Sequence, residues 1–199
     1  MSFISIASED ELSEIVGVVL ASEAGFDPDQ LLRKNGNGYL RSNIDKFHRL
    51  AALRPVLLLT DLDKKVCPTA LMEEWMPQRR AEPNLLFRVV VREIESWVLA
   101  DHQAMRALLG DRANLPRTPD ELVDPKQELL KLAQRASRAV RGDLVAARGA
   151  IASQGFGYNT RLRRLIESEW SPERAAMRSP SLASARARIQ QAFARTMNA

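Results

Sequence analysis

The sequence predicts an α/β protein: an open, mostly parallel β-sheet flanked by helices, with a helical segment after it. Three observations carry this. Val56-Leu57-Leu58-Leu59 is apolar without alternation, as a strand covered on both faces requires. Phe3-Ile4-Ser5-Ile6-Ala7 and the run 85–91 are further short apolar stretches, and helix-period segments separate all three. After Gly110 no stretch reads as a strand, while apolar residues keep recurring at helical spacing.

In chain order, Ser8 with Glu11 reads as a capping box opening the first helix. Leu12, Ile15, Val16, Val19 and Leu20 give that helix a buried face. Asn35-Gly36-Asn37-Gly38 has the composition of a loop. Residues 42–53 predict a helix with Ile44, Phe47, Leu50 and Ala51 inward, and Pro68 opens another that runs to about Arg79. The run 85–91 is interrupted by Arg88 alone. From Glu93 the pattern is helical through Ile94, Trp97, Val98, Met105, Leu108 and Leu109, and it stops at Gly110. Asp124-Pro125 is an N-cap followed by proline at the first helical position. Leu129, Leu130, Leu132 and Ala133 supply that helix's apolar side. A loop with Gly155 and Gly157 precedes a helix around 162–170, and Ser179-Pro180 begins a last one through Leu182, Ile189 and Phe193. The expected organisation is a core over 1–110 and a basic helical subdomain over 111–199.

Composition narrows the chemistry. A single cysteine, Cys67, excludes an internal disulfide and a thiolate zinc cluster, and the two histidines argue against a histidine-rich metal site. A bound metal is therefore expected to be a hard cation on oxygen ligands. No apolar window is long enough to span a membrane and no secretory signal is visible, so a cytoplasmic protein is expected. Residues 1–100 hold 12 Lys/Arg and 15 Asp/Glu, a net of −3; the remainder hold 17 and 10, a net of +7. An acidic half joined to a basic half suits a metal site beside a polyanion-binding surface.

Ligands of open parallel sheets bind beyond the carboxyl ends of the strands. Acids follow all three apolar runs: Glu9, Asp10, Glu11 and Glu14 after the first, Asp61 and Asp63 after the second, Glu93 and Glu95 after the third. Such clusters on one rim repel one another unless a cation neutralises them. Mg²⁺ needs few protein carboxylates and suits phosphoryl transfer. Acids in a helix's first turn also complement its dipole, so Glu9, Asp10 and Glu11 have an ordinary reading too. Glu93 and Glu95 cannot face the same way on a helix. Trp97 and Trp170 read as packing residues.

Taken in order, Glu9-Asp10-Glu11-Leu12-Ser13-Glu14, Leu59-Thr60-Asp61-Leu62-Asp63 and Val91-Arg92-Glu93-Ile94-Glu95-Ser96-Trp97-Val98-Leu99-Ala100-Asp101 resemble a bacterial Toprim-like domain family. That family is related to RloB-type proteins and to the nuclease domains of OLD (overcoming lysogenization defect) proteins. Asp124-Pro125-Lys126, Gly157-Tyr158-Asn159 and Arg178-Ser179-Pro180-Ser181-Leu182 extend the resemblance over almost the whole chain.

The resemblance implies a Toprim-like core that binds Mg²⁺ or Mn²⁺ through Glu9, Asp61, Asp63 and Glu95. Glu14 competes with Glu9, because Asp10 stands where many Toprim domains have glycine after the first glutamate; Glu93 competes with Glu95. The expected activity is phosphodiester cleavage by a nuclease subunit in phage defence. Glu95 and Lys126 would be catalytic, Lys126 by stabilising charge on the phosphate. Arg135, Arg138, Arg141, Arg148, Arg161, Arg163 and Arg164 would track a nucleic-acid backbone. The chain has no G-x-x-x-x-G-K-[ST] loop, so the implied ABC- or SMC-like ATPase partner is encoded separately. A homodimer is left open. The alternative is a non-catalytic nucleic-acid-binding or regulatory partner of that ATPase. Topoisomerase-like chemistry would need an activated tyrosine, and Tyr39 and Tyr158 stand in glycine-rich stretches.

Overall fold

The computed structural model describes residues 2–34, 36–77 and 82–198. It is an α/β protein whose four strands form one all-parallel sheet in the order β2-β1-β3-β4. The strands are β1 (Ser2–Ser8), β2 (Phe26–Arg33), β3 (Val56–Asp61) and β4 (Leu85–Val90). This is an open parallel sheet flanked by helices, the fold class expected.

Alternation along the strands divides the apolar side chains between two layers. Ile4 and Ile6 of β1, Leu57 and Leu59 of β3, and Leu86 and Val90 of β4 join one cluster. Ala7, Val56, Leu58, Leu85, Phe87 and Val89 join the other. β3 lies between β1 and β4, so both of its faces are covered. That is why its sequence is apolar without a break.

β2 was not anticipated. It is an edge strand, FDPDQLLR, with polar side chains and a proline. Pro28 pairs with Ile4 where the register slips, and the next pair is Ser5 with Gln30. Proline is confined to edges and bulges because it cannot donate to the ladder.

Helix α1 (Glu11–Ala24) lies on the larger layer. Its N-cap is Asp10, whose carboxylate accepts from Ser13 N at 2.8 Å, so the expected Ser8 capping box is replaced by a cap two residues later. Gly17 lets α1 approach the sheet: a Cβ there would lie 3.0 Å from Ile6 and 3.1 Å from Leu59. α1 ends at Gly25, whose φ of 101° is the left-handed C-cap glycine favours.

The smaller layer is covered by α2 (Asn37–Ser42), α3 (Ile44–Ala51) and α4 (Pro68–Trp75). The helix expected over 42–53 is α3, with Ile44, Phe47 and Ala51 buried as expected; α2 is an additional helix that ends at Ser42, and Asn37 and Gly38 begin it instead of standing in a loop, while Asn35 lies outside the described residues. α4 stops at Trp75, short of the expected Arg79, which also lies outside them.

The helix expected from Glu93 to Leu109 is interrupted. α5 (Ile94–Ala100) and α6 (His102–Leu109) meet at Asp101, which caps α6 by accepting from Gln103 N and Ala104 N. Beyond a 3-10 turn at Pro119–Glu121 follow α7 (Pro125–Ala133), α8 (Arg138–Leu144), α9 (Tyr158–Ser168), α10 (Pro172–Ala176) and α11 (Pro180–Met197). α9 starts four residues earlier than expected, so Tyr158 stands in its first turn. These helices share the larger layer with the sheet: Leu129, Leu162, Ile189 and Ala192 belong to the same cluster as Ile4 and Leu57. Trp97 and Trp170 are buried there too, and the Trp170 indole donates to the Trp97 carbonyl at 3.1 Å. No described helix is long and apolar enough to cross a membrane.

Candidate metal and phosphate site

Because β1 and β3 are neighbours and parallel, the residues that follow them emerge on the same edge. Asp61 ends β3. The chain then continues beside the residues after β4, with Leu62 N donating to Val90 O (2.9 Å) and Asp63 N to Arg92 O (3.0 Å). Arg92 clamps this turn by donating to the carbonyls of Asp63 (3.0 Å) and Lys65 (3.1 Å). Asp63 has φ 50°, a left-handed conformation that aspartate tolerates better than most residues. Strained backbone of this kind concentrates at functional sites.

Glu9 reaches this turn from β1. Its Oε1 accepts from Asp61 N at 3.0 Å and from the Thr60 hydroxyl. Of the competing first-strand acids, Glu14 pairs with Arg33 at 3.3 Å and Glu11 turns toward Arg163, which leaves Glu9 beside the Asp-x-Asp turn. Burial raises the Glu9 pKa, with Asp63 and Asp10 adding to it, although the bonds from Thr60 and Asp61 N pull the other way.

Asp61 is the most strained acid electrostatically. Burial pushes its pKa well above the usual carboxylate range, and Glu9, Glu95, Asp10 and Asp63 push it further. Its Oδ1 is buried and accepts no hydrogen bond from any described residue. A buried carboxylate oxygen without a donor, among other acids, favours a cation or a proton. Among the described residues, however, no three His, Cys, Asp or Glu side chains converge as a ready-made cage. Asp61 and Asp63 open onto a cleft of about 680 Å³ whose walls also carry Glu93, Lys64, Lys65 and Arg92.

The third acid cluster is arranged differently from expectation. Glu93 precedes α5 in extended conformation, so helical spacing does not separate it from Glu95. Both turn to Lys126. Glu93 accepts from Lys126 N at 3.1 Å, and Glu95, only 2 % exposed, meets Lys126 Nζ at 3.3 Å. Burial disfavours the ammonium, but Glu95 and Glu93 outweigh it and raise the Lys126 pKa.

Tyr158 completes the group. Its hydroxyl donates to Glu95 Oε1 at 2.8 Å, and Lys126 Nζ lies 5.7 Å from its ring centre. Burial and the adjacent Glu95 charge hold the phenol far above its usual pKa, so it remains a donor. Its glycine-flanked position had suggested a loop tyrosine; the buried partner 63 residues away carries no local sequence signal. Tyr158→Phe leaves a buried carboxylate short of one donor. Denaturant unfolding should show a loss of about 1.5–3 kcal/mol.

The basic residues separate into two groups. Arg161 is tied to Asp143, and Arg163 to Glu11 and Glu167, so neither is a ready phosphate contact. Arg135, Arg138, Arg141, Arg148 and Arg164 are exposed on or near α7, α8 and α9. They do not line the acidic cleft.

No family of known proteins, no curated protein and no solved structure matches the chain.

Proposed function

We propose that this protein is a divalent-metal-dependent phosphoryl-transfer enzyme that cleaves nucleic-acid phosphodiesters. The observation that carries the reading is the buried Asp61 Oδ1, without a donor among the described residues, beside Glu9 at the carboxyl edge of a parallel sheet. Asp61 and Asp63 would hold Mg²⁺ or Mn²⁺, with Glu9 either completing the shell or fixing Asp61 through its backbone. When bound, such an ion polarises the scissile phosphate and lowers the pKa of attacking water. Lys64 on the cleft wall would receive the phosphate backbone, with Lys65, which pairs with Glu74, and Arg92, which holds the turn, adding positive charge. Because Glu95 is paired with Lys126, it serves in this proposal to place that ammonium at the acidic group. Arg135, Arg138, Arg141 and Arg164 would extend the contact along a longer substrate. The Toprim-like resemblance further supports a separately encoded ABC- or SMC-like ATPase as partner in phage defence.

The test is cleavage of linear DNA and of RNA in Mn²⁺, run beside thermal unfolding with and without the ion. Wild type should cleave, and its midpoint should rise with Mn²⁺; Asp63→Ala should lose both. Metal-dependent cleavage that persists unchanged in Asp63→Ala would remove the site from the reaction. A second reading, a non-catalytic nucleic-acid-binding partner of the ATPase, is favoured by the absence of three converging acids among the described residues. It predicts nucleic-acid binding without a Mn²⁺-dependent rise in the midpoint.

A further inference from the structure

A second polar feature lies on the free edge of the sheet. Arg88 is the one charged residue of β4, and strand alternation puts it on the same side as Leu86 and Val90, the side that α11 covers. Its Nε is buried, and no acceptor among the described residues takes a hydrogen bond from it. Among the described residues no carboxylate pairs with the guanidinium. Burial lowers its pKa, and the neighbouring charge that acts on it, Arg188 of α11, has the same sign. A half-buried guanidinium with a second positive charge in its neighbourhood is unfavourable by itself and favourable with an anion bound. A cleft of about 120 Å³ opens at this place. Ser181 and Ser184 of α11 line it beside Arg88, with Pro68 and Met72 of α4 opposite. The acidic cleft uses a different part of α4, Leu71 and Trp75.

We propose that this cleft, between β4, α4 and the start of α11, is a phosphate-binding site in which Arg88 grips the anion, Ser184 contributes a hydroxyl and the nearby charge of Arg188 adds to the attraction. Guanidinium groups match phosphate oxygens bidentately, and the cleft has room for a phosphate group. The phosphate comes either from a free phosphate compound or from a nucleic-acid backbone. The site stands independently of the metal-dependent activity.

The experiment is thermal unfolding of the whole chain at constant ionic strength, with sodium phosphate titrated against sodium chloride. Wild type should gain about 3–6 °C at phosphate about tenfold above its dissociation constant. Arg88→Met should lose that gain and, without phosphate, unfold no earlier than wild type, because an uncompensated charge has been removed. Arg188→Gln, on an exposed helix position, should reduce the gain without disturbing the fold. A metal-free binding assay with a single-stranded oligonucleotide identifies the source. Weaker binding by both variants assigns the site to a backbone phosphate, and unchanged binding assigns it to a free phosphate compound. The proposal is overturned if phosphate stabilises wild type no more than chloride does, or if both variants keep the full gain. It is also overturned if Arg88→Met merely associates through the uncovered β4 edge while still responding to phosphate, since Arg88 would then be a guard against edge pairing.

Discussion

Asp61→Asn is expected to abolish metal-dependent cleavage and, in the absence of metal, to stabilise the fold. The loss should be about 10³-fold or more, the scale of several kcal/mol of charge stabilisation. The gain follows from the buried Oδ1, which accepts no hydrogen bond from the described residues and sits among Glu9, Glu95, Asp10 and Asp63. Removing a buried, uncompensated charge should raise metal-free stability at neutral pH by about 1–3 kcal/mol. The pH dependence has a definite sign. The Asp61 pKa is raised on folding, so between its unfolded and folded values the native protein binds a proton that the unfolded chain lacks. Metal-free wild type should therefore become more stable as pH falls from neutral toward the ordinary carboxylate range. In Asp61→Asn this slope should shrink, with Glu9 and Glu93, also raised, supplying the remainder. Denaturant midpoints from pH 8 to pH 5, in EDTA, measure both effects. A wild-type stability that rises with pH over this window would refute the assigned strain.

Asp101→Ala is expected to be the most destabilising single substitution among the polar residues. Asp101 is fully buried and receives Arg174 Nε (3.0 Å), Arg174 Nη2 (2.7 Å) and Ser171 N (2.8 Å), besides capping α6. One carboxylate thus joins α5, α6 and α10. Truncating it leaves a guanidinium and several N–H groups without their acceptor, at a cost of about 3–5 kcal/mol. For a chain of this size that corresponds to a fall of roughly 6–20 °C in the unfolding midpoint. Burial raises the Asp101 pKa, but the bonds from Arg174, Ser171 N and Ala104 N outweigh it and hold the carboxyl below its usual value. Its contribution is complete above the unfolded pKa and disappears as pH falls through the folded one, on the far acid side of the Asp61 effect. Metal-free stability should accordingly peak on the acid side of neutrality and then collapse.

What could be seen in the sequence depended on how locally each feature is encoded. β3 was legible because burial on both faces forces every side chain to be apolar, and Asp61-Leu62-Asp63 was legible because it interrupts that run. β2 was not, because an edge strand with Pro28 and four polar residues looks like a loop. The turn at Asp101 was missed because Ile94 to Leu109 keep one helical period on both sides of it. The site divided the same way. Placement of Glu9 near Asp61 follows from parallel strand order. Pairing of Glu95 with Lys126 and Tyr158 does not, since it depends on how α7 and α9 dock. Arg161 and Arg163 show the same limit, their acid partners being fixed only by tertiary packing.

The larger apolar layer has a temporal consequence. It includes Ile4 of the first strand and Ala192 of the last helix. At about 5–20 residues per second, a ribosome would release β1 roughly 10–40 s before α11. Throughout that interval the α11-facing part of β1 would stand in water, joined by that of β4 over roughly the second half of it. Nascent chains of this protein should therefore be chaperone clients until their last helix emerges. The 18-residue α11, which packs on α1, α10, β1 and β4, closes the core as a latch, and shortening it should sharply lower soluble yield.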